Sequence, residues 1–130
     1  MEKGKRISQI SPLNLAFVGD AVQEAYIKSV LVAEEDGSSF LLQKRSVAYL
    51  CCEAQAYAAQ KLLEELTQEE ADVFRRARNA KVNTVPKHAS VADYHMATAI
   101  EAVIGFAYLK GDRERALQIC ARMREVCDQR

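Results

Sequence analysis

The chain has no tryptophan, and only two prolines, five glycines and two histidines among its 130 residues. So few turn-forming residues argue against a sheet-rich fold with many tight turns. His88 and His95 stand beside no partner motif, which leaves no case for histidine catalysis. There is no Gly-rich phosphate loop and no Ser or Cys nucleophile motif. No apolar run reaches the length of a membrane span, and no apolar core follows the basic N-terminal residues. The expectation is a soluble, cytoplasmic protein with no membrane partner. Net charge is zero, which speaks against a chain that is basic all over, as nucleic-acid binders often are. Cys51 and Cys52 are adjacent, and Cys120 and Cys127 are distant, so zinc-ligand spacing is lacking. They read as reduced, partly buried thiols.

What is present favours helix. Apolar residues make up 49% of the chain, chiefly Ala, Leu and Val. The length suits one domain spanning 1–130, with 1–10 as a short mobile leader. Ser11-Pro12 starts a helix that runs to about Ala33. Ser38 or Ser39 caps a second stretch reaching about Leu66, broken between Ala48 and Glu53, because one helix that long is unusual here. The Ala, Leu and Tyr stripe within it reads as core. Thr67-Gln68-Glu69-Glu70 forms a capping box for a helix to about Ala80. A polar connection, Lys81 to Ser90, leads to a helix over Val91–Lys110. Gly111-Asp112 precedes a last helix ending near Cys127.

The first and fifth helices are apolar nearly all round, which marks both as central. Each nevertheless carries a carboxylate. Asp20 lies among Phe17, Val18, Ala21 and Val22; Glu101 lies among Ala97, Ile100, Ala102 and Val103. A buried, unpaired carboxylate costs several kcal/mol, roughly, so each must be paired, protonated or bound to a metal. Gly19 precedes Asp20, and Gly105 lies one turn after Glu101. Glycine in two such helices suggests close backbone approach, which would bring the two carboxylates into one acidic pocket. Mg²⁺ suits such a pocket, because it takes one or two carboxylates and keeps several waters. Pairing of each carboxylate with an arginine or lysine stays equally open from the residues alone. Glu24, one turn after Asp20, is expected to face solvent.

Basic residues cluster between Arg75 and His88: Arg75, Arg76, Arg78, Lys81, Lys87 and His88, with Asn79, Asn83 and Thr84 as neutral hydrogen-bonding groups. Such a local positive field suits the phosphates and 2′-hydroxyls of an RNA duplex. A solvated helix end that complements the helix dipole accounts for it as well. Arg113, Arg115, Arg122 and Arg124, interleaved with Glu114 and Glu125, read as an ordinary solvated face.

Leu15-Ala16-Phe17-Val18-Gly19-Asp20-Ala21-Val22 resembles the signature helix of the ribonuclease III catalytic domain. Thr98-Ala99-Ile100-Glu101-Ala102-Val103-Ile104-Gly105 resembles that family's second acidic helix. Arg78-Asn79-Ala80-Lys81 and the stretch from Thr84 to Lys87 are similar to the small bacterial branch, Mini-ribonuclease III, which lacks a separate double-stranded-RNA-binding domain. The resemblance runs from about Leu13 to Leu117. It implies an all-α fold of the ribonuclease III catalytic-domain type and a homodimer. It implies Mg²⁺-dependent endonucleolytic hydrolysis of double-stranded RNA that leaves 5′-phosphate and 3′-hydroxyl ends. Asp20 and Glu101 match the essential, metal-binding carboxylates, and Phe17 matches an apolar dimer-contact position. Arg78, Asn79, Lys81, Thr84, Lys87 and His88 are then the RNA-contact candidates. The branch implies maturation of a 23S ribosomal RNA precursor and leaves room for ribosomal proteins as partners. Ala16 and Thr98 depart from the larger enzymes, which carry acids one turn before each carboxylate. Those losses motivate the rival reading of a non-catalytic duplex-RNA-binding scaffold. A purely structural helical dimer is a third reading.

Overall fold

The structure, a computed structural model, describes residues 6–82 and 84–130. Residues 1–5 of the expected leader, and Asn83, lie outside the described residues. Among those described there are six α-helices and no strand. The all-α expectation therefore holds.

Five of the six helices start where a side chain takes up a free backbone N–H. In α1 (Pro12–Glu34), Ser11 Oγ accepts from the Asn14 amide at 3.2 Å. Ser38 does the same for the Leu41 amide at the start of α2 (Ser39–Leu50). Thr67 and Glu70 form the reciprocal box at the head of α4 (Gln68–Arg78). Ser90 caps α5 (Val91–Leu109) and Asp112 caps α6 (Arg113–Asp128). The expected break between Ala48 and Glu53 falls at Cys51, whose extended backbone separates α2 from α3 (Cys52–Leu62). A short 3₁₀ turn, Leu63–Glu65, leads on from α3.

The core is built around α5, which packs against α1, α3, α4 and α6. From Ala97 to Ala107 every residue except Glu101 is buried. The stripe read as core contributes buried Ala54, Ala56, Ala58, Ala59 and Leu62.

Three expectations are corrected. First, the leader is not free along its whole length: Ile7–Gln9 form a 3₁₀ turn, and Ile7 and Ile10 pack on the core. Second, α1 is not enclosed. Its stripe of Leu15, Ala16, Gly19, Gln23, Ile27 and Leu31 is buried, but Phe17 stands 79% exposed, with Ala21, Ala25 and Val32 also outside. Third, the arginines of α6 are not merely solvated. Arg115 donates to Glu70 at 2.7 and 2.8 Å, and Arg122 pairs with Glu65. Arg124 reaches Glu34 at the end of α1. These bonds tie α6 to α4, to the turn after α3 and to α1. The four cysteines are free thiols, as expected. Glu24 lies at the surface against Lys28.

Candidate active site

The two glycines meet where α1 crosses α5. A Cβ built on Gly19 would run into the Glu101 carbonyl, 2.6 Å from its carbon and 2.9 Å from the Gly105 nitrogen. One built on Gly105 would run into the Leu15 carbonyl, 3.0 Å from the Gly19 nitrogen. Only glycine at both positions lets the backbones come this close. The crossing places Asp20, next to Gly19, against Glu101, one turn before Gly105, and their side chains hydrogen-bond. A shared hydrogen bond between two carboxyls needs a proton on one of them. Burial first, then the Asp20 hydrogen bond and charge, push the Glu101 carboxyl up to about 9. Among the described residues no arginine or lysine acts on Glu101, so the salt-bridged alternative does not describe it there.

The pair opens on a cleft of about 580 Å³. Leu13, Ala16, Phe17 and Asp20 of α1 form one wall, and Tyr94, Ala97, Thr98 and Glu101 of α5 form another. Leu50, Cys52 and Gln55 close the side at the α2–α3 corner. Lys81, Val82 and Thr84 of the polar connection form the rim. Ala16 and Thr98, the two departures, therefore face the cleft one turn from each carboxylate.

Of the six RNA-contact candidates, the structure brings Lys81 and Thr84 to the cleft. Arg78 and Asn79 are exposed at the end of α4, and Lys87 and His88 are exposed on the connection; none of the four lines the cleft. Arg75 and Arg76 pair with Asp72, which softens their share of the positive field.

Sequence reasoning missed Gln55 and Tyr94 as cleft residues. Gln55 was absorbed into the alanine-rich core stripe; the available signal was an amide where the neighbouring buried positions are alanine. Tyr94 carried no signal beyond lying two turns before Glu101. Cys52 was read only as a thiol. Burial and the charge of Glu101 raise its pKa, so it is a neutral thiol, not a nucleophile.

Among the described residues no group of three or more His, Cys, Asp or Glu could hold a metal. The donor set is a pair of carboxylates at an open cleft. That pair fits a hard divalent cation whose remaining positions are waters, and lacks the histidine or cysteine ligands on which zinc sites are built.

A helical fold crossed at paired glycines, with one acid from each crossing helix, defines the class: the chain belongs to the ribonuclease III family, whose domain model matches residues 13–112. It is an endoribonuclease of the family whose enzymes act on double-stranded RNA. Within that family it is similar to proteins named Mini-ribonuclease 3. The Thermoanaerobacter protein is 42% identical over 113 residues, 87% of this chain and 80% of the relative. The Staphylococcus aureus protein is 37% identical, over 88% of this chain and 87% of the relative. The crystal structure of a Fusobacterium nucleatum protein superposes with a TM-score of 0.82 at 31% identity, over 91% of this chain and 94% of that one. Among the described residues no helix is long and apolar enough to cross a membrane.

Proposed function

We propose that the protein is a Mg²⁺-dependent endoribonuclease in which Asp20 and Glu101 hold the ion and a 23S ribosomal RNA precursor is the double-stranded substrate. The observation that carries this reading is the Asp20–Glu101 contact in an open cleft. Two carboxyls forced together from different helices, with a proton between them and no basic partner on Glu101 among the described residues, are poised to exchange that proton for a divalent cation. When bound, Mg²⁺ supplies an acidified water and neutralises charge on the scissile phosphate. The protein's own part is to fix the two carboxylates, present the phosphate to them and keep the duplex in register. Lys81 and Thr84 at the rim are suited to a phosphate and a 2′-hydroxyl. Arg78, Asn79, Lys87 and His88 extend that contact along the duplex. Water adds to phosphorus and the bond to the 3′-oxygen breaks, leaving a 5′-phosphate and a 3′-hydroxyl.

The uncovered face of α1 supports a two-fold homodimer. Phe17, Ala21 and Ala25 form an apolar strip that a second copy would cover, and each protomer would then contribute one cleft to a pair that cuts both strands. A cytoplasmic enzyme acting with ribosomal proteins completes the reading.

The test is cleavage of duplex RNA with and without Mg²⁺, using Asp20→Asn and Glu101→Gln. Both variants should fold and lose cleavage by at least about 100-fold, more than an outer-shell residue costs. A variant that cleaves at the wild-type rate removes the mechanism. Wild-type protein that binds duplex RNA but never cuts it with any divalent cation removes the metal-dependent reading.

A further inference from the structure

Gln55 is 3% exposed and stands in the first turns of α3, beside the extended residue that separates α3 from α2. Its side-chain Nε2 donates to the Leu50 carbonyl at 2.7 Å. The same side chain lines the cleft beside Glu101, and its amide lowers the Glu101 carboxyl's pKa against the larger effects of burial and Asp20. Its Oε1 is buried and has no hydrogen-bond partner among the described residues. This inventory settles which way the amide faces. Leu50 offers a carbonyl and Glu101 a carboxylate, so both call for donors, and an –NH₂ has two. Turning the amide round would set its oxygen against the Leu50 carbonyl. One donor is thus committed to Leu50, the second is left for the Glu101 carboxylate, and among the described residues the buried acceptor has no partner.

An amide with an orphaned acceptor is a poor choice for packing alone, because an apolar residue of the same size would fill the space without stranding an oxygen. The end of α2 does not explain it either, since a water or a serine could satisfy the Leu50 carbonyl. What only a long, two-donor side chain does here is join the α2–α3 corner to the carboxylate of α5.

We propose that Gln55 is a positioning residue that fixes the direction of the Glu101 carboxylate for the divalent cation. This rests on the reading of Asp20 and Glu101 as metal ligands. Carboxylates that bind metals are held by hydrogen bonds from a supporting layer, and removing such a bond typically weakens metal affinity about 10- to 100-fold. Glu101 comes from a helix with little freedom to move, and its neighbour Asp20 shares the cation, so the angle of the carboxylate is the remaining variable. Gln55 holds it from behind.

The experiment compares wild type with Gln55→Met, which keeps the bulk and removes both donors. Mn²⁺ binding is followed by electron paramagnetic resonance without RNA, and cleavage is measured against Mg²⁺ concentration. We expect about 10- to 100-fold weaker Mn²⁺ binding, a matching rise in the Mg²⁺ midpoint for cleavage, and an unchanged KM for RNA at saturating Mg²⁺. Unchanged Mn²⁺ affinity, or a fall in kcat that added Mg²⁺ does not restore, overturns the proposal. Should Gln55→Met fail to fold, the wild type answers alone: the Gln55 side-chain amide protons, followed by NMR, must shift during a Mg²⁺ titration and must stay still in Glu101→Gln. Amide protons that do not respond to Mg²⁺ in wild type overturn it equally. Wild type that binds no Mn²⁺ overturns the metal reading itself and this inference with it, whereas wild type and Gln55→Met that bind Mn²⁺ alike overturn this inference alone.

Discussion

Glu101 is the one ionisable side chain between Ala97 and Ala107, and its environment makes it a weak acid. With a carboxyl raised from 4.5 to about 9, the folded protein without metal keeps a proton that the unfolded chain releases. Between those two values the folded state therefore binds more protons, so stability falls as pH rises. The contribution is complete below the unfolded value and is lost as pH climbs through about 9. Glu70 acts in the opposite sense. Its hydrogen bonds from Arg115 hold its carboxyl below the usual range, so its contribution is present above about 4.5 and is lost as pH falls. We predict that the melting temperature of the metal-free protein declines from pH 5 to pH 9, that saturating Mg²⁺ removes most of the decline, and that Glu101→Gln flattens it. Calorimetry across that range checks all three, and a flat profile for metal-free wild type contradicts the buried proton.

At the scale of elements, the crossing of α1 and α5 depends on two missing Cβ atoms. Gly19→Ala forces the helices apart along the seam that carries both carboxylates, because the added carbon meets backbone, which cannot rotate away. The expected cost is about 3 kcal/mol or more, the upper end for overpacked cores, and a denaturant titration would measure it. A loss below about 1 kcal/mol would mean that the crossing is looser than described. The bond from α6 to α4 is a second joint. Arg115→Ala leaves the buried Glu70 carboxylate without its main partner, an expected loss of about 1.5–3 kcal/mol at pH 7, checked in the same way. The glycine joint was legible in the sequence, since glycine in an apolar helix beside an acid has few other uses. The arginine joint was not. Arg115 and Glu70 are 45 residues apart, and nothing local to either names the other. The interleaved charges of α6 fit a solvated face equally well until α4 is laid against it.

For the whole molecule, the exposed strip on α1 and the charged connection set what the protein meets. Phe17→Glu puts a charge at the centre of the apolar strip and removes about 2 kcal/mol of burial on each side of a symmetric pair. The expected outcome is a monomer by light scattering, with the metal-dependent melting shift retained; a dimer that persists would place the interface elsewhere. Lys81→Ala should weaken duplex-RNA binding evenly across sequences and lower the salt dependence of binding by about one phosphate contact, measured by titration at several salt concentrations. From its residues alone the chain determined its helices, their caps, the break near Cys51, the glycine pair and the two acids, because each is written in a spacing or a residue type that local physics reads directly. Tertiary structure alone decided which face of α1 lies uncovered, which arginines are joints, and that Gln55 lines the same cleft as Glu101. Those outcomes depend on which surfaces come to lie opposite one another, and a helix that is apolar on every side carries no mark of which side the rest of the fold will cover.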